Sequence, residues 1–304
     1  MRFPRSISLP SGAAGTGADG DLWQRLRRLR RRPGGPGLVT GVALLALLIL
    51  AVVLAPLLTS YDPLATDASA LGLRPGTPLH LLGTDNLGRD LLARVLYGGR
   101  ISLSIGVLAA GLSLLLGVLA GAVAGMSPPW LDAGLMRAVD ALLALPLLVV
   151  IIAIEAIVQP SLTSVVLVIG ATSWMPMARV VRAEFLTLRE RDYVRAAVAL
   201  GTPRGTIARR HILPNALPPV LVMAAFQVSH AIITESTLSF LGLGVPPQTP
   251  TWGNLLTSAQ QHILSGEWWT LAWPGIGIVL AALSVNLIAD GVRRGGDPRL
   301  QAGG

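Results

Sequence analysis

The chain has 304 residues, of which 52% are hydrophobic and only 13% charged, and it carries a net charge of +8. A typical soluble domain is about one-quarter charged, so too little polar surface remains to cover a water-soluble globule, and a membrane protein is indicated. All 24 basic residues are arginine and there is no cysteine, which excludes a Walker-A lysine, Schiff-base chemistry, thiol nucleophiles, disulfides and cysteine metal clusters.

Residues 1–20 are rich in Gly, Ala and Ser without periodicity and read as disordered. In DLWQRLRRLRRR, residues 21–32, Leu22, Trp23, Leu26 and Leu29 recur at helical spacing among arginines, as in a helix lying on an anionic membrane surface. Pro33, Gly34, Gly35 and Pro36 break it, closing an N-terminal segment, 1–37. The apolar run 38–58 exceeds the ~7–15 residues of a signal-peptide core and lacks a small-x-small cleavage site, so it reads as an uncleaved first span. An outer segment, 59–100, follows. Further apolar stretches lie at 101–125, 135–158, 162–180, 216–238 and 271–290, each near the ~20 residues that cross ~30 Å of hydrocarbon. The expectation is an all-α polytopic membrane protein with six transmembrane helices, because backbone in lipid must satisfy its own hydrogen bonds.

Arginine placement orients it. With the N-terminus in the cytoplasm, twenty of the 24 arginines fall on the inner side, and only Arg74, Arg89, Arg94 and Arg100 lie outside. Trp268, Trp269 and Trp273 suit an outer aromatic belt and Arg293 and Arg294 an inner boundary, so both termini, including the tail 291–304, are expected in the cytoplasm. Arginines divided among membrane-flanking loops do not form a nucleic-acid surface.

In GTDNLGRD, residues 83–90, Asp85, Asn86 and Asp90 lack EF-hand spacing and read as an ordered outer turn with Arg89 paired to an acid. Gly117, Gly121 and Gly125 form a small-xxx-small stripe for close helix approach. Glu155, Glu235 and Asp140 lie near span ends, and Glu235 with Ser236 and Ser239 is a candidate gate or pathway group. His80, His211, His230 and His262 show no ligand spacing, and no G-x-S-x-G elbow occurs. The chain therefore reads as neither enzyme nor metal protein.

The longest inner loop, 181–215, reads as ordered. Tyr193, Ala196, Ala197 and Leu200 stand at i, i+3, i+4 and i+7, one apolar stripe on a short helix. Gly201 suits a left-handed C-terminal cap. Thr202 and Pro203 suit the N-cap and first position of a second helix, which Pro214 would end. Such a pair either rests on lipid or inserts as a peg into a groove of a cytoplasmic partner.

The run RAAVALG…RHILPN resembles the cytoplasmic EAA loop of bacterial ABC-importer permeases, which docks on the ATPase subunits. Gly201, Leu213 and Pro214 match that pattern. Arg195 replaces its leading glutamate and His211 an apolar position, as is usual in the peptide and nickel branch. Residues 80–104, residues 235–253 and the tail NLIADGVRRGGDPRL resemble the C-type membrane subunit of dipeptide and oligopeptide permeases, so that the resemblance covers most of 38–300. It implies the type I ABC-importer permease fold in a bacterial cell membrane, with a permease core over 101–290. It further implies a heterodimer with a B-type permease, two ABC ATPases that carry the ATP and Mg, an extracytoplasmic binding protein, and no cofactor on this chain. Tyr193, Arg195, Ala196, Ala197, Leu200, Gly201, Pro203 and Pro214 would then form the ATPase-coupling loop. Short peptides are the implied cargo, with nickel chelates, glutathione or another small solute as alternatives. A different class, an ion-coupled secondary carrier, is disfavoured by the docking-type loop and by the lack of a charge pair at mid-membrane.

Overall fold

The computed structural model describes residues 35–260, 262 and 265–295. The basic segment expected as a surface helix at 21–32 and the end of the tail lie outside these residues. Among the described residues every element is helical apart from two isolated bridges, Thr77 with His80 and Thr84 with Asp90.

Helices α1 (Gly35–Val53) and α2 (Ala55–Leu58) are divided at Leu54, where Pro56 opens the second piece. Helix α3 spans Leu91–Met126, α4 Pro129–Leu143 and α5 Leu147–Glu155; α6 spans Leu162–Thr172 and α7 Met175–Arg189. Two short helices, α8 (Asp192–Ala199) and α9 (Arg204–Ile207), lead through a π-helical turn, Ala208–Ile212, into α10 (Leu213–Phe240). Helices α11 (Trp252–Gln260) and α12 (Trp268–Gly295) follow. Among the described residues four helices are long and apolar enough to cross a membrane: α1, α3, the run Arg204–Phe240 and α12. The pairs α4–α5 and α6–α7 are each apolar enough only together, bent by 78° and 41°. Counting each pair as one span gives six. Pro146 and Pro176 stand at the two breaks, where a ring in place of an N–H cannot continue the ladder.

Helix α3 begins at Leu91, ten residues before the apolar run. Its first turns are held by polar contacts that hydropathy does not register. Asp90 is the N-cap and accepts from the Ala93 N–H at 2.8 Å, while its other oxygen lies 2.9 Å from His80 Nδ1. Asp85 accepts from the Leu87 and Arg89 N–H groups and from Arg89 Nε at 2.7 Å, the acid pairing expected of that turn. Arg94, 1% exposed, sits 3.7 Å from the same carboxylate. Trp269 does not join an outer belt: it is buried, donating from Nε1 to the Thr84 carbonyl at 3.2 Å, and of this pair only Trp268 is exposed. Consecutive side chains on a helix point about 100° apart, so one tryptophan of the pair turns inward while its neighbour stays outside.

Asp90→Ala should loosen this outer knot, removing a cap worth about 1 kcal/mol and stranding buried His80. Asp90→Asn keeps the cap acceptor and should lose less. Limited proteolysis over 59–90 checks both: equal protection of the alanine variant and wild type would refute the assignment.

Among the described residues three apolar clusters organise the bundle. Ile105, Ala109, Ile151, Val165 and Ala231 join α3, α5, α6 and α10. Ile232, Trp252, Leu255 and Ala281 fix α11 against α10 and α12. The third, at the arginine-rich end, carries the inner loop.

Candidate functional site

The third cluster joins Met177, Val181 and Phe185 of α7 to Val194 and Ala197 of α8. It continues through Ile207 and Ile212 to Ala216 and Val220 of α10. The inner loop is thereby welded to two spans. Asp192 in the first turn of α8 opposes the positive end of the helix dipole.

Helix α8 carries two apolar stripes, and the structure separates them. Val194 and Ala197 face the bundle, while Tyr193, Ala196 and Leu200 face out; Leu200 is 85% exposed and neighbouring Val198 58%. Ala197 therefore leaves the outward set in which sequence periodicity placed it. Both stripes have helical spacing, and only the tertiary contacts decide which one is inside. Arg195 donates to Glu190 at 2.5 Å on the exposed rim, and this hydrogen bond holds the Glu190 carboxyl below its ordinary range.

Gly201 has φ +75°, with the Thr202 N–H donating to the Ala197 carbonyl at 3.1 Å and its own N–H to Val198 at 2.9 Å. This is a Schellman cap, as expected. The second helix departs from expectation: Pro203, not Thr202, is its N-cap, and no side chain caps it. Nor does Pro214 end it. The chain runs on through the π turn, and Pro214 occupies the first turn of α10, where its missing N–H costs little. Asn215 Nδ2 donates to the His211 carbonyl at 2.7 Å beside the wide turn. A crevice of about 410 Å³ separates the α3–α4 turn at Met126–Pro129 from Val194, Val198 and Ile207.

Two ion pairs tie α4 to α7 next to this unit. Arg182 makes a two-point contact with Asp132, Nε at 2.5 Å and NH2 at 2.6 Å, and Arg179 lies 3.6 Å from exposed Asp140. The glycine stripe of α3 faces the same helix. A Cβ on Gly117 would meet Met177 at 2.5 Å, one on Gly121 the Ala178 carbonyl at 2.5 Å, and one on Gly125 Phe185 at 2.5 Å.

Glu235, Ser236 and Ser239 stand apart from the inner unit, buried inside the chain toward the other end of α10. Ser239 Oγ donates to Glu235 Oε1 at 2.9 Å, and Ser102 Oγ lies 3.3 Å from Oε2 while accepting from the Trp252 N–H at 3.1 Å. The group thus joins α3 and α10 to the start of α11. Glu155, 1% exposed at the end of α5, has Ser164 Oγ 3.5 Å away.

Periodicity overlooks three features. Val194 is a buried anchor. The π turn has no sequence signature beyond the prolines after it. His230 is exposed on α10, ten residues before its end at Phe240; an imidazole inside an apolar run was the available signal. Near it Met223, Phe226, Gln227 and Ser173 border a crevice of about 290 Å³.

Residues 86–302 match the family described as binding-protein-dependent transport system inner membrane component. Residues 21–75 match the N-terminal TM domain of oligopeptide transport permease C. A putative peptide transport system permease protein of Brucella suis biovar 1 is 42% identical, the alignment covering 100% of this chain and 99% of that one. Its counterpart in Brucella melitensis biotype 1 is also 42% identical, over the same shares of both chains. The di/tripeptide transport system permease protein DppC of Pseudomonas aeruginosa is 39% identical over 87% of this chain and 89% of its own length.

Proposed function

This chain belongs to the family of binding-protein-dependent transport system inner membrane components, and from that premise we propose that it forms half of the translocation pathway of an ATP-driven importer of short peptides. Its family membership makes it a transport component that works with a binding protein and further subunits. The finer assignment is a B-type permease beside it, two ABC ATPases below that carry ATP and Mg, and a binding protein received by the outer segments. Peptide cargo is supported by the names of relatives that match along all or most of the chain.

The observation that carries the coupling role is the two-faced inner unit. Its inward stripe is continuous with the core of α7 and α10, and its outward stripe, Tyr193, Ala196 and Leu200, is exposed and apolar. An exposed Leu and Tyr beside arginines fit insertion into an apolar groove of a cytoplasmic partner. Because the unit is fused to two spans, displacement of the docked helix moves the bundle itself. His230 supports the pathway role of α10. It lies about 15 Å along the helix from Phe240, and an exposed imidazole at that depth faces a water-filled path or a second protein rather than lipid.

The test is uptake of a labelled tripeptide by proteoliposomes holding the chain with its neighbouring subunits. Uptake is expected to require ATP on the ATPase side and binding protein on the other, and to survive an ionophore. Uptake that collapses with the ionophore and persists without ATP would establish a secondary carrier. Absence of tripeptide uptake, with ATP-dependent uptake of a labelled nickel chelate or glutathione by the same proteoliposomes, would reassign the cargo.

A further inference from the structure

Arg100 stands at the outer end of the apolar part of α3 and reaches across to α1. Its Nε donates to the Val52 carbonyl at 2.8 Å and an NH2 group to Val53 at 2.9 Å, capping the first span, while the guanidinium lies 4.8 Å from the centre of the Tyr97 ring. These partners hold its geometry without cancelling its charge. Among the described residues Arg89 and Arg94 share Asp85, whereas Arg100 pairs with no carboxylate.

Below it a crevice of about 730 Å³ opens between the two helices. Ile49 and Val53 line one wall, Leu103, Val107 and Leu108 the other. Ile49, Val53, Val107 and Leu108 are all about half exposed. Going inward from Arg100, α3 is followed toward higher numbers and α1 toward lower ones, so both apolar walls descend from the cation into the hydrocarbon. From Arg100 to Leu108 that wall is about 12 Å deep.

We propose that this crevice holds a phospholipid of the outer leaflet, its phosphate on Arg100 and one acyl chain between α1 and α3. Charge complementarity selects this occupant. The site offers one uncompensated cation at the interface and apolar surface beneath it, the mirror of a lipid with an anion at its head and hydrocarbon below. Arginine suits a phosphate because its fork keeps a free edge after donating elsewhere. The bound lipid would brace α1, which otherwise meets the bundle chiefly through α12, where Gly41 lies against Ser284 and Leu287.

Native mass spectrometry of the transporter purified with its other subunits, titrated with phosphatidylglycerol, tests this. Wild type should retain one lipid that Arg100→Gln binds roughly tenfold more weakly. Because Arg100→Gln also uncaps α1, Val107→Trp, which fills the crevice and spares the cation, should lose the same lipid. Binding of that lipid by either variant as tightly as by wild type, or its absence from wild type, overturns the proposal. The chain lacks cysteine, so Val107→Cys presents a single thiol for a benzophenone label. A lipid adduct on photolysis is expected, and an adduct to a neighbouring subunit would show that protein covers the crevice.

Discussion

Gly121→Val is expected to prevent stable assembly of the bundle. A Cβ at this position would lie 2.5 Å from the Ala178 carbonyl, 2.7 Å from Val181 Cβ and 3.0 Å from the Arg182 N–H. Two of these are backbone atoms of α7, which no rotamer change can move away. Relief requires α3 and α7 to separate, and that separation opens the cluster of Met177, Val181 and Phe185 and displaces Arg182 from Asp132. Overpacking a well-filled core costs typically about 1–3 kcal/mol, and valine adds the loss of the contacts on either side, so the total should approach the whole stability of a marginal fold. In lipid the loss is sharper, because close contact between small residues replaces the hydrophobic drive for helix association. Gly111→Ala is the control. It lies on the same helix with nothing within 4 Å of the added carbon, and it should be neutral or stabilising by roughly 0.5–1 kcal/mol. Thermal unfolding of the purified chain in detergent checks the pair. A Gly121→Val protein that melts with wild type would show that the stripe is not a contact seam.

The same stripe marks how far sequence reaches. Its four-residue spacing announces a close helix contact, but nothing in it names α7 as the partner; that follows from the turn at Met126–Pro129 and the ion pairs beyond. The six apolar stretches are legible because hydropathy averages over twenty residues. The outer turns of α3 are not, since buried Arg94 and the acids that answer it lower the average in a segment that is nonetheless ordered. Gly201 is legible because a positive φ leaves glycine as the natural choice. Ala197 is not, because α8 has apolar residues on two faces, and which one turns inward depends on Ile207 and Ile212, a turn further on. Glu235 reads as a gate group from its type and position. Its burial against Ser102 and the start of α11 depends on contacts 133 residues apart, beyond any local pattern.

Leu200→Asp is expected to abolish uptake while leaving the chain folded. Leu200 is 85% exposed and belongs to no core cluster, so its replacement removes little from the isolated fold. Buried in a partner's apolar groove, a leucine contributes about 1.5–3 kcal/mol, which is roughly a tenfold to hundredfold change in affinity. An aspartate adds the cost of desolvating a charge. Less ATPase should co-purify with the variant, and uptake should fall at least as steeply, with the melting temperature unchanged. Gly201 separates docking from mere contact. Its φ of +75° with no atom within 4 Å of an added carbon means that a substitution strains backbone without steric clash. Left-handed backbone costs an ordinary residue about 1–2 kcal/mol, and Asn tolerates it best. Gly201→Val should therefore let the ATPases bind but tilt α8 against α9, so that ATP is hydrolysed without uptake, and Gly201→Asn should remain coupled. If the helix pair instead rests on lipid, Leu200→Asp will leave ATPase assembly intact and the two Gly201 variants will transport alike.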